Sequence, residues 1–111
     1  MKVWSVTYDL SVQGGQDYDD LIEVLKSFPS CPLTKSAWLL ATPFSATQIQ
    51  ARLKRFLSAG DELSIVPVAK GQGWAASGLT EKQVAWLRRY LAATPTPPRV
   101  PLSRLRSLAR P

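Results

Sequence analysis

The sequence predicts a single α+β domain, a βαββαβ sandwich with an appended C-terminal helix and a flexible Pro/Arg-rich tail. Three observations support this prediction. The chain has 111 residues, enough for one hydrophobic core but not for two. Segments with strand character alternate with segments whose apolar residues recur at helical spacing. The composition changes after the last helical segment, so we place the domain at 1–93 and the basic tail at 94–111.

The first strand is predicted over residues 2–10, where β-branched and aromatic residues predominate. A glycine-containing turn at 13–16 ends it. Its carboxylate, Asp9, falls at the strand end, where water or a metal ion can reach it. Because a strand-end Asp is also a common turn former, the residue alone leaves two interpretations open. Asp9 is either a turn-capping group or a metal or catalytic ligand.

The first helix is predicted to open with an acidic cluster, with Asp17 as its N-cap and Asp19 and Asp20 complementing the helix dipole. Metal binding by these acids is the alternative interpretation. A short edge strand is predicted over 31–33, where its proline is tolerated. The next strand, over 35–42, has apolar residues on both faces, which indicates a strand covered on both sides.

Two capping boxes mark the later helices. Ser45, followed three residues later by a glutamine, starts a helix predicted to run to Gly60 as its C′ residue. Thr80 starts the last helix with the same spacing. Between them, a strand over 63–69 contains a proline, which indicates an edge position or a bulge.

The composition excludes some chemistry and favours some partners. There is no His, so imidazole acid/base catalysis is excluded, and with Cys31 as the single cysteine a structural zinc site within one chain is not expected. The formal net charge of +6 and the pI near 9.9 favour an anionic partner. No apolar stretch is long enough to span a bilayer and no signal-peptide pattern is present, so we expect a cytoplasmic protein without a membrane partner.

Basic residues concentrate on the later helices and in the tail. Nucleic-acid contact and docking on another subunit both fit the tail. The residues predicted to contact a nucleic acid, whether DNA or RNA, are Arg52, Arg55, Arg88, Arg89, Arg104 and Arg106.

Five short motifs along residues 1–91 resemble a known group of proteins. The motifs are Tyr8-Asp9-Leu10, Ser36-Ala37-Trp38, Gly60-Asp61-Glu62, Gly73-Trp74 and Trp86-Leu87. By these motifs the chain is similar to the small ferredoxin-like proteins of the CRISPR-associated Cas-two superfamily, and above all to its SinR-like stand-alone members.

The resemblance implies a homodimer in which two strand-end aspartates face each other across the symmetry axis and hold one divalent cation, Mg²⁺ or Mn²⁺. Asp9 carries over as the metal ligand and catalytic carboxylate, with Ser36 as a neighbour on the adjacent strand. The family includes metal-dependent nucleases, scaffolds that bind duplex DNA without cutting it, and toxin-antitoxin components that cleave RNA.

Three functions therefore remain open from the sequence. The first is a metal-dependent endonuclease, a phosphodiesterase with paired Asp9 carboxylates. The second is a nucleic-acid scaffold that does not cleave, and the third is a protein-binding module of antitoxin or inhibitor type with the tail as docking segment. Whichever of the three applies, we expect a homodimer, because one sheet face is predicted to be left bare and rich in Trp, Val and Ala side chains.

Overall fold

The computed structural model describes residues 1–11 and 16–91 of the chain. Within these residues the predicted α+β class is confirmed, with one four-stranded antiparallel sheet and three helices. No helix in these two ranges is long and apolar enough to cross a bilayer. The elements are, in order, β1 (Lys2–Asp9), α1 (Gln16–Ser27), β2 (Ser30–Thr34), β3 (Ala37–Thr42), α2 (Ala46–Lys54), β4 (Glu62–Val68) and α3 (Glu81–Tyr90).

The strands lie in the order β2-β3-β1-β4, so β1 is central and is paired on both sides. Val6 of β1 lies between Trp38 of β3 and Ile65 of β4. The two edge strands, β2 and β4, are the two that contain a proline. The proline predicted an edge position for β2, and for β4 it predicted either an edge position or a bulge, since proline has no N–H to give to a neighbouring strand. The structure places both strands at the edges.

Helices α1 and α2 cover one face of the sheet. Because side chains alternate along a strand, β1 sends Trp4, Val6 and Tyr8 to this face. They form the larger core cluster with residues of β3 and of both helices. The helix residues at its centre, each fully buried, are Leu21, Leu25, Ile49 and Leu53.

Helix α3 covers part of the opposite face. Val3, Cys31 and Leu39 form a second buried cluster there with Leu87 of α3 and with Leu91. The prediction that this face is bare and rich in tryptophan is therefore wrong. The last helix packs across it, and β1 and β3 direct Trp4 and Trp38 to the α1–α2 side.

Both predicted capping boxes are present. At α2, the Ser45 side chain accepts a hydrogen bond from the backbone N–H of Gln48 at 3.2 Å, and the Gln48 side chain accepts from the backbone of Ser45 at 2.9 Å. At α3, Thr80 and Gln83 make the same pair of bonds at 3.2 and 2.7 Å. Each box satisfies backbone donors that the first helical turn leaves without partners.

Two predicted helix ends differ from the structure. Helix α1 begins at Gln16, so Asp17 lies within the helix and is not its N-cap. Helix α2 ends at Lys54, six residues before the predicted C′ residue Gly60. The N–H of Phe56 bonds to the carbonyl of Leu53 three residues back, which tightens the helix into a turn.

Candidate functional site

Asp9 is the last residue of β1, and its side chain is exposed. It lies opposite Glu62 of β4 in the antiparallel pairing. By strand alternation its side chain lies on the same sheet face as Thr7, Ser5 and Val3, the face that α3 partly covers. No hydrogen bond or ion pair to the Asp9 carboxylate occurs within residues 1–11 and 16–91. The carboxylate is therefore presented to solvent at the end of the central strand, which is paired on both sides.

A depression of about 250 Å³ surrounds this strand end. Asp9, Lys35 and Ser36 are among its lining residues. The β2–β3 turn is fixed beside Asp9 because Tyr8 bonds to it twice. Its backbone N–H donates to the carbonyl of Ser36 at 3.0 Å, and its hydroxyl donates to the carbonyl of Lys35 at 2.9 Å. The fold thus brings an ammonium and a hydroxyl to the same depression as the carboxylate.

Tyr8 is a structural neighbour of the site and is not a base. Burial raises the pKa of its phenol from 10.0 to about 12. Its ring packs edge-on against Tyr18 of α1, with centroids 6.5 Å apart. At neutral pH Tyr8 is consequently a neutral hydrogen-bond donor that fixes the end of β1 against α1 and the β2–β3 turn.

Asp61 is a site residue that sequence reasoning missed. Its carboxylate accepts hydrogen bonds from the backbone N–H of Ser58 at 2.7 Å, and from the backbone N–H and hydroxyl of Ser11 at 2.7 and 2.8 Å. These hydrogen bonds lower the pKa of Asp61 below its ordinary value of 3.8, and the two from backbone N–H groups have the largest effect. The spacing Ser58-x-x-Asp61 is a turn signal in the sequence, but nothing local indicates Ser11, which lies 50 residues away.

Within residues 1–11 and 16–91 the acidic residues do not form a complete metal site. Among residues 1–11 and 16–91 there is no group of three or more His, Cys, Asp or Glu that could hold a metal ion. At the end of β1, Asp9 and Glu62 provide carboxylate oxygens, the ligand type that Mg²⁺ and Mn²⁺ prefer. A cation held by Asp9 would therefore need further oxygen ligands from a second copy, a nucleic acid or water.

The arginines predicted to contact a nucleic acid do not form one surface. Arg52 lies in α2, and Arg55 is the first residue after that helix. Arg88 and Arg89 lie in α3, on the opposite face of the sheet. All four are exposed. The guanidinium carbon of Arg52 lies 4.6 Å from the centroid of the Phe44 ring, and the corresponding distance from Arg89 to Tyr90 is 5.4 Å. Such contacts hold a charge in place while leaving it exposed to solvent.

The remaining predictions fall on residues that the structure does not describe. Arg104 and Arg106 lie in this part of the chain. The predicted boundary between a domain at 1–93 and a tail at 94–111 lies there too.

Comparison with known proteins shows the fold but no family. The solved structure of a hypothetical protein, TT1823 from Thermus thermophilus, is similar to this chain with a TM-score of 0.55 and 23% sequence identity. The similarity covers 71% of this chain and 95% of that one. A comparison with protein-family models gave no match. A comparison with curated proteins gave none either.

Proposed function

We propose that this chain is a ferredoxin-like, Cas-two-like homodimer that associates with nucleic acid and cleaves it as a divalent-metal-dependent endonuclease. The order βαββαβ and the strand order β2-β3-β1-β4 support the fold assignment. The observation that carries the functional part is the exposed carboxylate of Asp9, which is free of partners within the described residues and is held at the end of the doubly paired central strand.

The chemistry follows from the ligand type. Mg²⁺ or Mn²⁺ takes oxygen ligands, and a bound ion polarises a phosphate and lowers the pKa of water. The carboxylate of one Asp9 would bind a cation only weakly. A two-fold axis through the strand end would add the Asp9 carboxylate of a second copy. Lys35, which lines the same depression, offers a cation to a phosphate oxygen.

The position of Asp9 restricts how two copies can meet. Pairing along the β4 edges would separate the two Asp9 residues by three strand spacings, about 14 Å, which is too far for a shared ion. The copies must instead approach through the sheet face that Asp9 shares. The part of that face left uncovered, which we call the strand-end patch, comprises Ser5, Thr7, Asp9, Glu62, Ser64 and Val66.

A cleavage assay with Asp9→Asn tests the proposal. Wild type should cleave DNA or RNA when Mg²⁺ or Mn²⁺ is added, and Asp9→Asn should reduce cleavage to the level of the buffer control. Asp19→Asn, which removes an exposed carboxylate of α1 instead, is the matched control and should cleave like wild type. The metal should also raise the melting temperature of wild type but not that of Asp9→Asn. Cleavage that survives in purified Asp9→Asn would remove Asp9 from the mechanism.

One observation favours a second candidate, the scaffold that binds without cleaving. Exposed arginines lie on helices at both sheet faces, so a dimer would present several separate basic surfaces. Replacing a phosphate-contacting residue such as Arg52 or Arg88 with Gln should weaken binding and reduce the slope of log K against log salt by about 1. Binding without cleavage in any metal would favour this candidate. Absence of both would favour the protein-binding module.

A further inference from the structure

A cavity of about 590 Å³, the β2–α3 cavity, lies between β2 and α3. Trp38 of β3, which pairs with Pro32 of β2, lines one side, and Trp86 of α3 lines another. The side chain of Gln83 donates to the carbonyl of Pro32 at 2.6 Å, which ties α3 to β2 beside the cavity. The cavity is therefore part of the fold, and its volume is typical of small-molecule sites, which span about 300–1,000 Å³.

Three aromatic side chains line the β2–α3 cavity: Phe28, Trp38 and Trp86. Trp38 is buried, and the other two are half-buried. Neighbouring rings hold them in place. Phe28 lies edge-on to Phe44 with centroids 5.9 Å apart, and Trp86 packs on Tyr90 at 4.6 Å. A planar aromatic ligand suits such walls, because aromatic contacts add to the gain from apolar burial.

The charged residues of the β2–α3 cavity are two exposed lysines, Lys26 of α1 and Lys82 of α3. Neither makes an ion pair within residues 1–11 and 16–91. The carboxylates of Asp19 and Glu23 line the adjoining depression toward α1, together with Lys26 and Lys35, so the charges there balance. Among the described residues that line the β2–α3 cavity there is no Asp or Glu. The cavity itself therefore favours an anion.

The polar groups of this cavity are mainly hydrogen-bond donors. The indole N–H of Trp86 is buried and has no partner within the described residues. The Trp38 indole lacks one too, but it interacts with the hydroxyl of Tyr8: burial raises the pKa of Tyr8, and this indole partly offsets the rise. Both ends of the Gln83 side chain are already bonded to backbone groups. The Trp86 N–H, two ammonium groups and two hydroxyls are left for a ligand.

We propose that the β2–α3 cavity binds a small aromatic carboxylate. The ring of the ligand packs against Phe28 and Trp38, and its carboxylate accepts from the Trp86 N–H beside the ammonium groups of Lys26 and Lys82. A carboxylate presents acceptors only, which matches this set of donors, whereas most nucleobases would bring N–H donors that find no acceptor here. The cavity shares no lining residue with the depression at Asp9, so the proposal does not depend on nuclease activity.

Naphthoate, titrated into the full chain, is the probe that tests the proposal. Calorimetry should show one bound naphthoate per chain with a Kd of about 1 mM or tighter, as expected for a ligand of this size. In NMR spectra the indole N–H signal of Trp86 should shift, whereas that of Trp4, in the core under α1 and α2, should not. Naphthamide has the same shape without the charge and should bind about fivefold more weakly or worse. Equal binding of the acid and the amide, or an unmoved Trp86 signal, would overturn the proposal.

Two pairs of variants test the contacts. Lys82→Gln should weaken naphthoate binding by about 2- to 5-fold, the usual strength of an exposed charge pair. Lys54→Gln, an exposed lysine of α2 outside the cavity, is its matched control. Trp86→Phe keeps a ring but removes the N–H and should weaken binding by about tenfold or more, whereas Trp74→Phe, outside the lining, should not. Because Lys82 is exposed, its variant remains decisive even if Trp86→Phe fails to fold. Equal losses in a variant and its control would contradict the assigned contact.

Competition separates the carboxylate from other ligands of this cavity. Acetate, a carboxylate without a ring, should not displace naphthoate at equal concentration. Displacement by acetate would show that the ring is not recognised. Adenosine monophosphate should also fail to displace it, because the base brings unmatched donors. A nucleotide that binds more tightly than naphthoate and shifts the same Trp86 signal would assign the cavity to nucleotides, and either displacement would overturn the proposal.

Discussion

Two carboxylates at the same end of the sheet have different environments. Asp61 accepts three hydrogen bonds and ties the turn before β4 to Ser11, two residues beyond Asp9. Asp9 accepts none from the described residues and faces solvent. The first carboxylate therefore fixes the direction in which the chain leaves β1, and the second is available to a ligand.

Asp61→Asn should lower the melting temperature at neutral pH, because the amide is a weaker acceptor for the Ser11 and Ser58 donors. The pKa of Asp61 is lowered in the folded protein. Its contribution to stability is therefore present above the unfolded-state pKa and is lost as the pH falls through the folded-state value. The difference between wild type and variant should be constant near pH 7 and shrink below about pH 4. A difference that grows on acidification, measured by thermal unfolding, would contradict this.

Gly60 occupies a backbone conformation that other residues avoid. Its φ is +92°, and an added Cβ would contact only Ser11, at 3.6 Å. The cost of Gly60→Ala therefore comes from the backbone and should be about 1–2 kcal/mol in the free energy of unfolding. Gly73→Ala is the matched control, because its φ is not positive and no atom lies within 4 Å of its added Cβ. If chemical denaturation gave equal losses of unfolding free energy for the two variants, the backbone conformation of Gly60 would not explain the cost.

Among the elements, the strands and the starts of α2 and α3 were the most predictable, whereas the predicted N-cap of α1 was wrong. The capping boxes at Ser45 and Thr80 and the prolines of β2 and β4 are local signals, and the structure confirms what they predict. The end of α2 was predicted too late. The last residues of the predicted helix have helix propensity, but in the structure the chain tightens into a turn there. The placement of α3 and the bond from Ser11 to Asp61 depend on contacts between distant segments, which no local pattern indicates.

The glutamines of the two capping boxes differ in one contact, so their Ala variants show how much that contact stabilises the fold. Among residues 1–11 and 16–91, Gln48 bonds only within its own box, whereas the Gln83 side chain also donates to the carbonyl of Pro32 in β2 at 2.6 Å. Both Ala variants lose a cap bond, but Gln83→Ala should cost about 0.5–1.5 kcal/mol more, the usual net value of one further hydrogen bond. Equal costs in urea denaturation would show that the link between α3 and β2 adds no stability.

At the scale of the whole molecule, two Asp9 carboxylates can share a cation only if two copies of the chain meet at the strand-end patch. Among the described residues, the strand-end patch is the exposed part of β1 and β4 on the Asp9 face, and Val66, 51% exposed, is its one large apolar side chain. A dimer that packs the two strand-end patches against each other buries Val66 twice. Burying the exposed half of two valines contributes about 2 kcal/mol.

Val66→Lys should therefore weaken the proposed dimer by roughly 30-fold or more, since 1.4 kcal/mol corresponds to a factor of ten and the lysines add repulsion. Sedimentation velocity over a concentration series measures this directly. Thr47→Lys, at an exposed position of α2 away from the patch, adds the same charge and should leave the dimer intact. If Val66→Lys also abolishes metal-dependent cleavage while Thr47→Lys does not, the pairing of the Asp9 residues is required for the chemistry. A wild type that remains monomeric yet cleaves would instead assign the metal to one chain and the nucleic acid.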